Sequence, residues 1–262
     1  MATLPNPLPG LATDPSGRSL GLRLPPGRLI DTTVDGPWPE PLLWHAGQSA
    51  SPGTWAALGG PARRAGLLPV LVDLGDGGPA AWELAPAEMS YPGDHDAREL
   101  LAEYAERVGA LGTTGDGERP GPAPAATLTA DPARRAAETA DALAESRAPL
   151  ARPHLALVPA RRSADIPAAI GWGGPADEDT GRLGAVLRSW EDRFGIRVVA
   201  LGYAHLLLSV AAPPTTPAHA RAVAAEHLAL SPDTVHQGGA VSLDAYAEQH
   251  VLDRTSWHFW WE

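Results

Sequence analysis

The sequence predicts an α+β fold. Residues 150–262 read as a C-terminal β-α-β-β-α-β sandwich of the ferredoxin-like kind, with an N-terminal α/β subdomain packed against it. Three observations carry this reading. Apolar runs of strand length alternate with amphipathic helical stretches through the second half. Two of those runs, "IRVVALG" and "YAHLLLSVA", are apolar on both faces, so both faces need covering. And "GTTGDGERPGPAPAA", 112–126, carries too much Gly, Pro and charge to build a core, so it divides the chain.

The elements follow in order. Residues 1–28 are punctuated by Pro and Gly, an irregular start to an N-terminal α+β subdomain over 1–111. "PEPLLWHA" offers a strand near 41–46, and "LLPVLVDL", 67–74, is a continuous apolar strand. "AWELA", 81–85, reads as its hairpin partner across Asp76-Gly77. In "DHDARELLAEYAERVGALG" Asp96 caps a helix whose stripe is Leu100, Leu101, Tyr104, Ala105 and Val108. Residues 112–149 hold the linker and an alanine-rich helix opened by Asp131 and Pro132.

In the second half "HLALVP", 154–159, is a strand and "SADIPAAIGW" a short helical turn. Leu183, Val186, Leu187, Trp190 and Phe194 fall at helical spacing before a stop at Gly195. Thr216 caps one further helix and Ser242 another. "SWHFWW" is the last strand, with Trp257 and Phe259 toward the helices and Trp260 on the other face. The ferredoxin-like layout places the sheet in the order 4-1-3-2, so this strand lies at an edge.

Composition narrows the function. The chain has 262 residues and a net charge of -11, with 31 acids against 20 basic residues, every one an arginine. No basic stripe is apparent, which argues against nucleic acid and against an anionic membrane surface as partners. With no cysteine, disulfides, thiolate zinc sites and cysteine nucleophiles are excluded. The start "MATLPNPLPG" lacks the charged and apolar parts of a signal peptide, and "VVALGYAHLLLSVAA" is too short to span a membrane. The expectation is a cytoplasmic protein.

Several stretches in the second half resemble the bacterial domain-of-unknown-function family numbered 4253. They are "ADIPAAIGWGGPA", "AVLRSWEDRFGIRVVALG", "LLLSVAAPPTTPAHARAVAAEH", "SPDTVHQG" and "WHFWWE", within about residues 150–262. The sequence departs from that pattern at His236, where an aromatic often stands. "LLPVLVDL" and "GDHDARELLAE" look like the N-terminal part of longer members. The resemblance implies an actinobacterial setting and supplies no catalytic residues and no cofactor.

Reactive motifs are weak. "GQSAS", 47–51, is not a nucleophile elbow, and "GDGG", 75–78, leads into Pro instead of a helix. "GWGGPADEDTG", 171–181, lacks the Lys-Ser/Thr of a phosphate loop, and its acids would repel phosphate. The dense His/carboxylate clusters are Asp94-His95-Asp96 and Glu226-His227, with His219, eight residues before His227, on the same helical face as it. Neither matches a zinc-protease pattern. Two readings follow. The favoured one is a non-enzymatic protein-binding module, in its sharper form immunity- or inhibitor-like, presenting Trp172 and Trp260 to a protein partner. The alternative is a small-molecule hydrolase with Asp94, His95, Asp96, Glu226 and His227 converging between the halves, as acid–base or metal-binding groups. Neither calls for a cofactor.

Overall fold

The computed structural model describes residues 5–73, 82–110, 121–146, 148–174, 179–237 and 239–261. In chain order the strands are β1 (Gly27–Ile30), β2 (Thr32–Thr33), β3 (Gly36–Pro37), β4 (Leu43–Ala46), β5 (Leu67–Asp73), β6 (Pro153–Pro159), β7 (Arg197–Leu201), β8 (His205–Ser209) and β9 (Ser256–Trp260). The helices are α1 (Gly10–Thr13), α2 (Thr54–Arg64), α3 (Ala97–Ala110), α4 (Pro132–Ser146), α5 (Ile166–Ile170), α6 (Thr180–Phe194), α7 (Pro217–Leu230), α8 (Pro232–Gln237) and α9 (Leu243–Tyr246).

The fold is mixed α and β, as expected, but not ferredoxin-like in its strand order. Seven strands form one sheet in the order β1-β4-β6-β5-β7-β8-β9. The C-terminal strand pairs antiparallel with β8, from His205 opposite Trp260 to Ser209 opposite Ser256, and has no contact with β6 in the ladder. Between β6 and β7 lies β5, antiparallel to β6 and parallel to β7, with Leu71 opposite Ala200. The physical reason is in β5 itself. Its seven residues are apolar enough to be buried from Leu67 to Val72, and such a strand is most stable with neighbours on both edges and cover on both faces. The N-terminal half therefore contributes strands to the sheet instead of lying against it as a separate layer. Residues 82–85, expected as a strand, are not one, although Trp82 and Leu84 are buried. Asp76 and Gly77 lie outside the described residues.

Helices cover both faces. On one, α3, α5, α6 and α7 supply Leu101, Ile166, Trp190 and Val223 to the main core. On the other, α2 and α4 bring Trp55, Leu58, Ala140 and Leu143 against Leu71, Leu155, Val199 and Leu207. The alanine face of α4 leaves little side-chain bulk, so the helix axis can come close to β7 and β8. This is the second cover that the two-sided strands required. A third cluster seats Leu8, Leu11 and Leu22 beneath Trp44 and Leu67.

The caps hold as read. Asp96 accepts the N–H groups of Arg98 (2.8 Å) and Glu99 (3.1 Å), and Asp131 accepts that of Arg134 (2.8 Å). Thr216 and Ser242 accept from His219 and Ala245. Gly195 ends α6 at φ 60, in the left-handed region.

Candidate functional site

The two His/carboxylate clusters do not converge. His95 binds Ser90, Nε2 to Oγ at 2.5 Å, and Ser90 donates its N–H to Asp179, the N-cap of α6. Glu226 instead meets Arg193 and Trp190 near the other end of the same 15-residue helix, about 20 Å away along its axis. Asp94 is exposed, and the carboxylate of Asp96 is spent on the α3 cap.

Glu226 is a buried clamp. Its carboxylate accepts from Trp190 Nε1 (2.7 Å), from both terminal nitrogens of Arg193 (2.8 and 2.6 Å) and from the N–H of Ala123 (2.7 Å). Four donors saturate it, so no lone pair is left for acid–base work. His227 has no exposed surface and touches the rings of Trp190, Trp257 and Phe259. Burial pushes its imidazole down to about 3, with the charge of His250 acting the same way. It is therefore neutral at ordinary pH. Its Nδ1 lies 3.2 Å from the hydroxyl of Tyr246.

The two tryptophans fare differently from each other. Trp172 is fully buried, its Nε1 donating to the carbonyl of Gly202 at 2.8 Å. The expected display of its indole is thus overturned: it has no surface to offer a partner in this conformation. The glycines around it explain why. A Cβ on Gly174 would fall 1.9 Å from the Trp172 ring, so the Gly-rich loop exists to fold over the indole. Trp260 is half-buried on the edge strand β9. Its N–H donates to Thr234 Oγ1 (2.9 Å) and its carbonyl accepts from Ser231 Oγ (2.9 Å), so α8 and the residue before it cover that part of the free edge. Among the described residues no group of three or more His, Asp or Glu side chains is arranged to hold a metal ion.

A recess with room for a ligand lies elsewhere, between α2, α4 and the N-terminal ends of β5 and β7. It is a cleft of about 470 Å³, within the size range of small-molecule sites. Trp55, Leu68, Pro69, Ala136 and Ala137 make its apolar floor, and Arg63, Arg134, Arg161 and Arg197 stand around it with Glu191. A smaller recess of about 290 Å³ adjoins it, sharing Glu191 and Arg197.

Three of these arginines share a local sequence. Pro61-Ala62-Arg63-Arg64 closes α2, Pro132-Ala133-Arg134-Arg135 opens α4, and Pro159-Ala160-Arg161-Arg162 follows β6. In each Pro-Ala-Arg-Arg copy the first arginine lines the cleft. In two copies the second is bound: Arg135 to Glu138 at 2.7 Å and Arg162 to Asp192 at 2.5 Å. Among the described residues neither Arg63 nor Arg161 has a carboxylate within ion-pair distance, and Arg134 has only Glu138 at 3.7 Å. The fourth arginine is tied down: Arg197 meets Glu191 at 3.1 Å. Burial holds Arg197 below its ordinary value, and the charges of Arg63 and Arg162 add to that against Glu191.

Sequence reading by charge runs missed this site, because each arginine pair is short and the three lie far apart along the chain. The threefold tetrapeptide was the signal available. A second was Gly59-Gly60 in the middle of α2, each costing about 1 kcal/mol relative to alanine. Packing does not demand them: a Cβ on Gly60 meets only the tip of Arg64, at 3.9 Å, and one on Gly59 makes ordinary contacts. Their effect is to leave the cleft open.

Residues 154–262 match the model of the family described as Domain of unknown function (DUF4253). No curated protein and no solved structure matches the chain.

Proposed function

We propose that this chain, whose C-terminal part belongs to the DUF4253 family, is a binding module that takes an anionic small molecule with an apolar body into the arginine-lined cleft. The observation that carries the proposal is the convergence of Arg63, Arg134 and Arg161, from three separate elements, on one cavity of a protein whose net charge is -11. Exposed arginines can pair with surface carboxylates, each pair contributing only about 0–1 kcal/mol. Two of these three do not, which leaves their guanidinium forks open to a ligand's oxygens. The floor of Trp55, Leu68 and Pro69 supplies contact for an apolar group. This keeps a binding role and moves its site away from Trp172 and Trp260. The hydrolase alternative loses its support, since its acid–base groups sit at opposite ends of α6.

The test is titration with 1-anilinonaphthalene-8-sulfonate, an aromatic monoanion whose fluorescence rises in apolar sites. Saturable binding should weaken at least tenfold in Arg63→Ala/Arg161→Ala, with the circular dichroism spectrum unchanged. Equal binding by the wild type and the variant would contradict the proposal.

A further inference from the structure

We infer that the natural ligand class of the cleft is a soluble phosphate monoester carrying a flat or apolar body; this rests on the proposed binding function. The cleft's charge is what selects the class. Arg197 and Glu191 neutralise one another, as do Arg162 and Asp192. Glu138 is shared between Arg134 and Arg135, so those three groups leave one positive charge. Arg63 and Arg161 add two more. The lining is thus left with an excess of positive charge. A carboxylate or sulfate ester brings one negative charge and leaves the cleft undercompensated. A phosphate monoester brings roughly −1.5 to −2 near neutral pH.

Geometry agrees with charge. Arg63, Arg134 and Arg161 approach from the end of α2, the start of α4 and the turn after β6. Donors from three directions suit the three terminal oxygens of a phosphoryl group better than the two coplanar oxygens of a carboxylate. The floor then receives the body. Trp55, Pro69 and Leu68 lie on one side, and the alanines of α4 on the other. Gly59 leaves space beside the indole and Pro69 that a side chain would enter. The fit is to a compact ester, since the cavity holds about 470 Å³.

A matched pair of probes tests this: phenyl phosphate and phenyl sulfate, each displacing the anilinonaphthalene sulfonate from wild-type protein. Phenyl phosphate should bind at least tenfold more tightly than phenyl sulfate at pH 7.5. The preference should shrink as the pH falls through the second phosphate ionisation, about pH 6, and should collapse in Arg63→Ala/Arg161→Ala. If that double variant fails to fold, Arg161→Gln alone should reduce the preference by threefold or more. Equal displacement by the two probes overturns the phosphate assignment while leaving an anion cleft in place. Failure of the fluorophore to bind, or binding insensitive to both arginines, overturns the cleft itself. Inorganic phosphate competing as well as phenyl phosphate would remove the role of the apolar floor. Retention on phosphatidylcholine vesicles containing phosphatidic acid, and not on pure phosphatidylcholine, would overturn the soluble-ligand assignment in favour of a lipid head group.

Discussion

The indole N–H of Trp190 donates to the buried carboxylate of Glu226 at 2.7 Å, and Arg193, less than one helical turn farther on, grips the same carboxylate with two nitrogens. One stretch of α6 thus binds α7 through an aromatic donor and an ion pair at once. Around it, Trp257 and Phe259 from the edge strand pack on the Trp190 ring, at centroid distances of 5.5 and 5.4 Å. The residues that look most reactive in the sequence of the second half are in fact its structural lock.

Trp190→Ala should cost about 3–5 kcal/mol, because it opens a large cavity in a fully buried site. Trp190→Phe keeps most of the contact area but removes one of the two donors to Glu226 Oε2, which keeps Arg193, so a loss of about 1–3 kcal/mol is expected for a hydrogen bond to a charged group. Urea unfolding of both variants measures this. A loss below about 1 kcal/mol for Trp190→Ala would show that the ring is not packed as described.

Glu226→Ala leaves the guanidinium of Arg193, which is mostly buried, without its partner. Breaking such a pair costs about 3–5 kcal/mol. Adding Arg193→Met should recover part of that loss, because it removes the stranded charge. A double variant no more stable than Glu226→Ala would contradict the pairing as the source of the penalty.

Stability should rise with pH between about 3 and 6.5. In the unfolded chain His227 takes up a proton near its ordinary value of 6.5, whereas in the folded chain burial delays this to about 3. Within that window the unfolded state holds more protons, so the contribution is complete above the unfolded value and fades as the pH falls. The slope is up to about 1.4 kcal/mol per pH unit. His258, pushed down to about 4 by burial and by His205, whose Nδ1 lies 3.1 Å from its Nε2, adds in the same direction. Denaturant midpoints from pH 4 to 7 should show the rise, and His227→Gln should reduce its slope, leaving the part due to His258. An unchanged slope in that variant would rule out His227 as its source.

The C-terminal strand is built into the main core. Trp257 and Phe259 are buried against Trp190 and His227, and β9 pairs with β8 over its whole length. Deleting residues 257–262 should abolish cooperative unfolding as followed by tryptophan fluorescence. Trp260→Ala, at a half-buried position, should cost only about 1–2 kcal/mol. A truncated chain that still unfolds cooperatively would mean the sheet closes without β9.

Local structure was legible wherever one residue type settles it. Asp96, Asp131, Thr216 and Ser242 announce helix starts because their side chains cap free N–H groups. The stripe Leu183-Val186-Leu187-Trp190-Phe194 is buried as its spacing implies. Strand order was not legible. β5 and β7 pair in parallel across more than a hundred residues, and nothing local in "LLPVLVDL" names its neighbours. Trp172 shows a second limit: a tryptophan among glycines reads as exposed, yet glycines are also what lets a loop close over an indole. The cleft was illegible for the same reason as the strand order, since its arginines meet only once the sheet has formed.

The most direct measurement on the proposed binding function is anilinonaphthalene sulfonate binding to Gly59→Leu. A Cβ at Gly59 faces the cleft floor, 3.6 Å from Pro69 and 3.9 Å from the Trp55 ring, at ordinary contact distances, and leucine at a helical position is better tolerated than glycine. The variant should therefore be about as stable as the wild type, with all the cleft arginines intact, while its affinity for the fluorophore falls at least tenfold because the side chain occupies the floor. A stable Gly59→Leu protein that binds as tightly as the wild type would place the anion outside the cleft and contradict the proposed function.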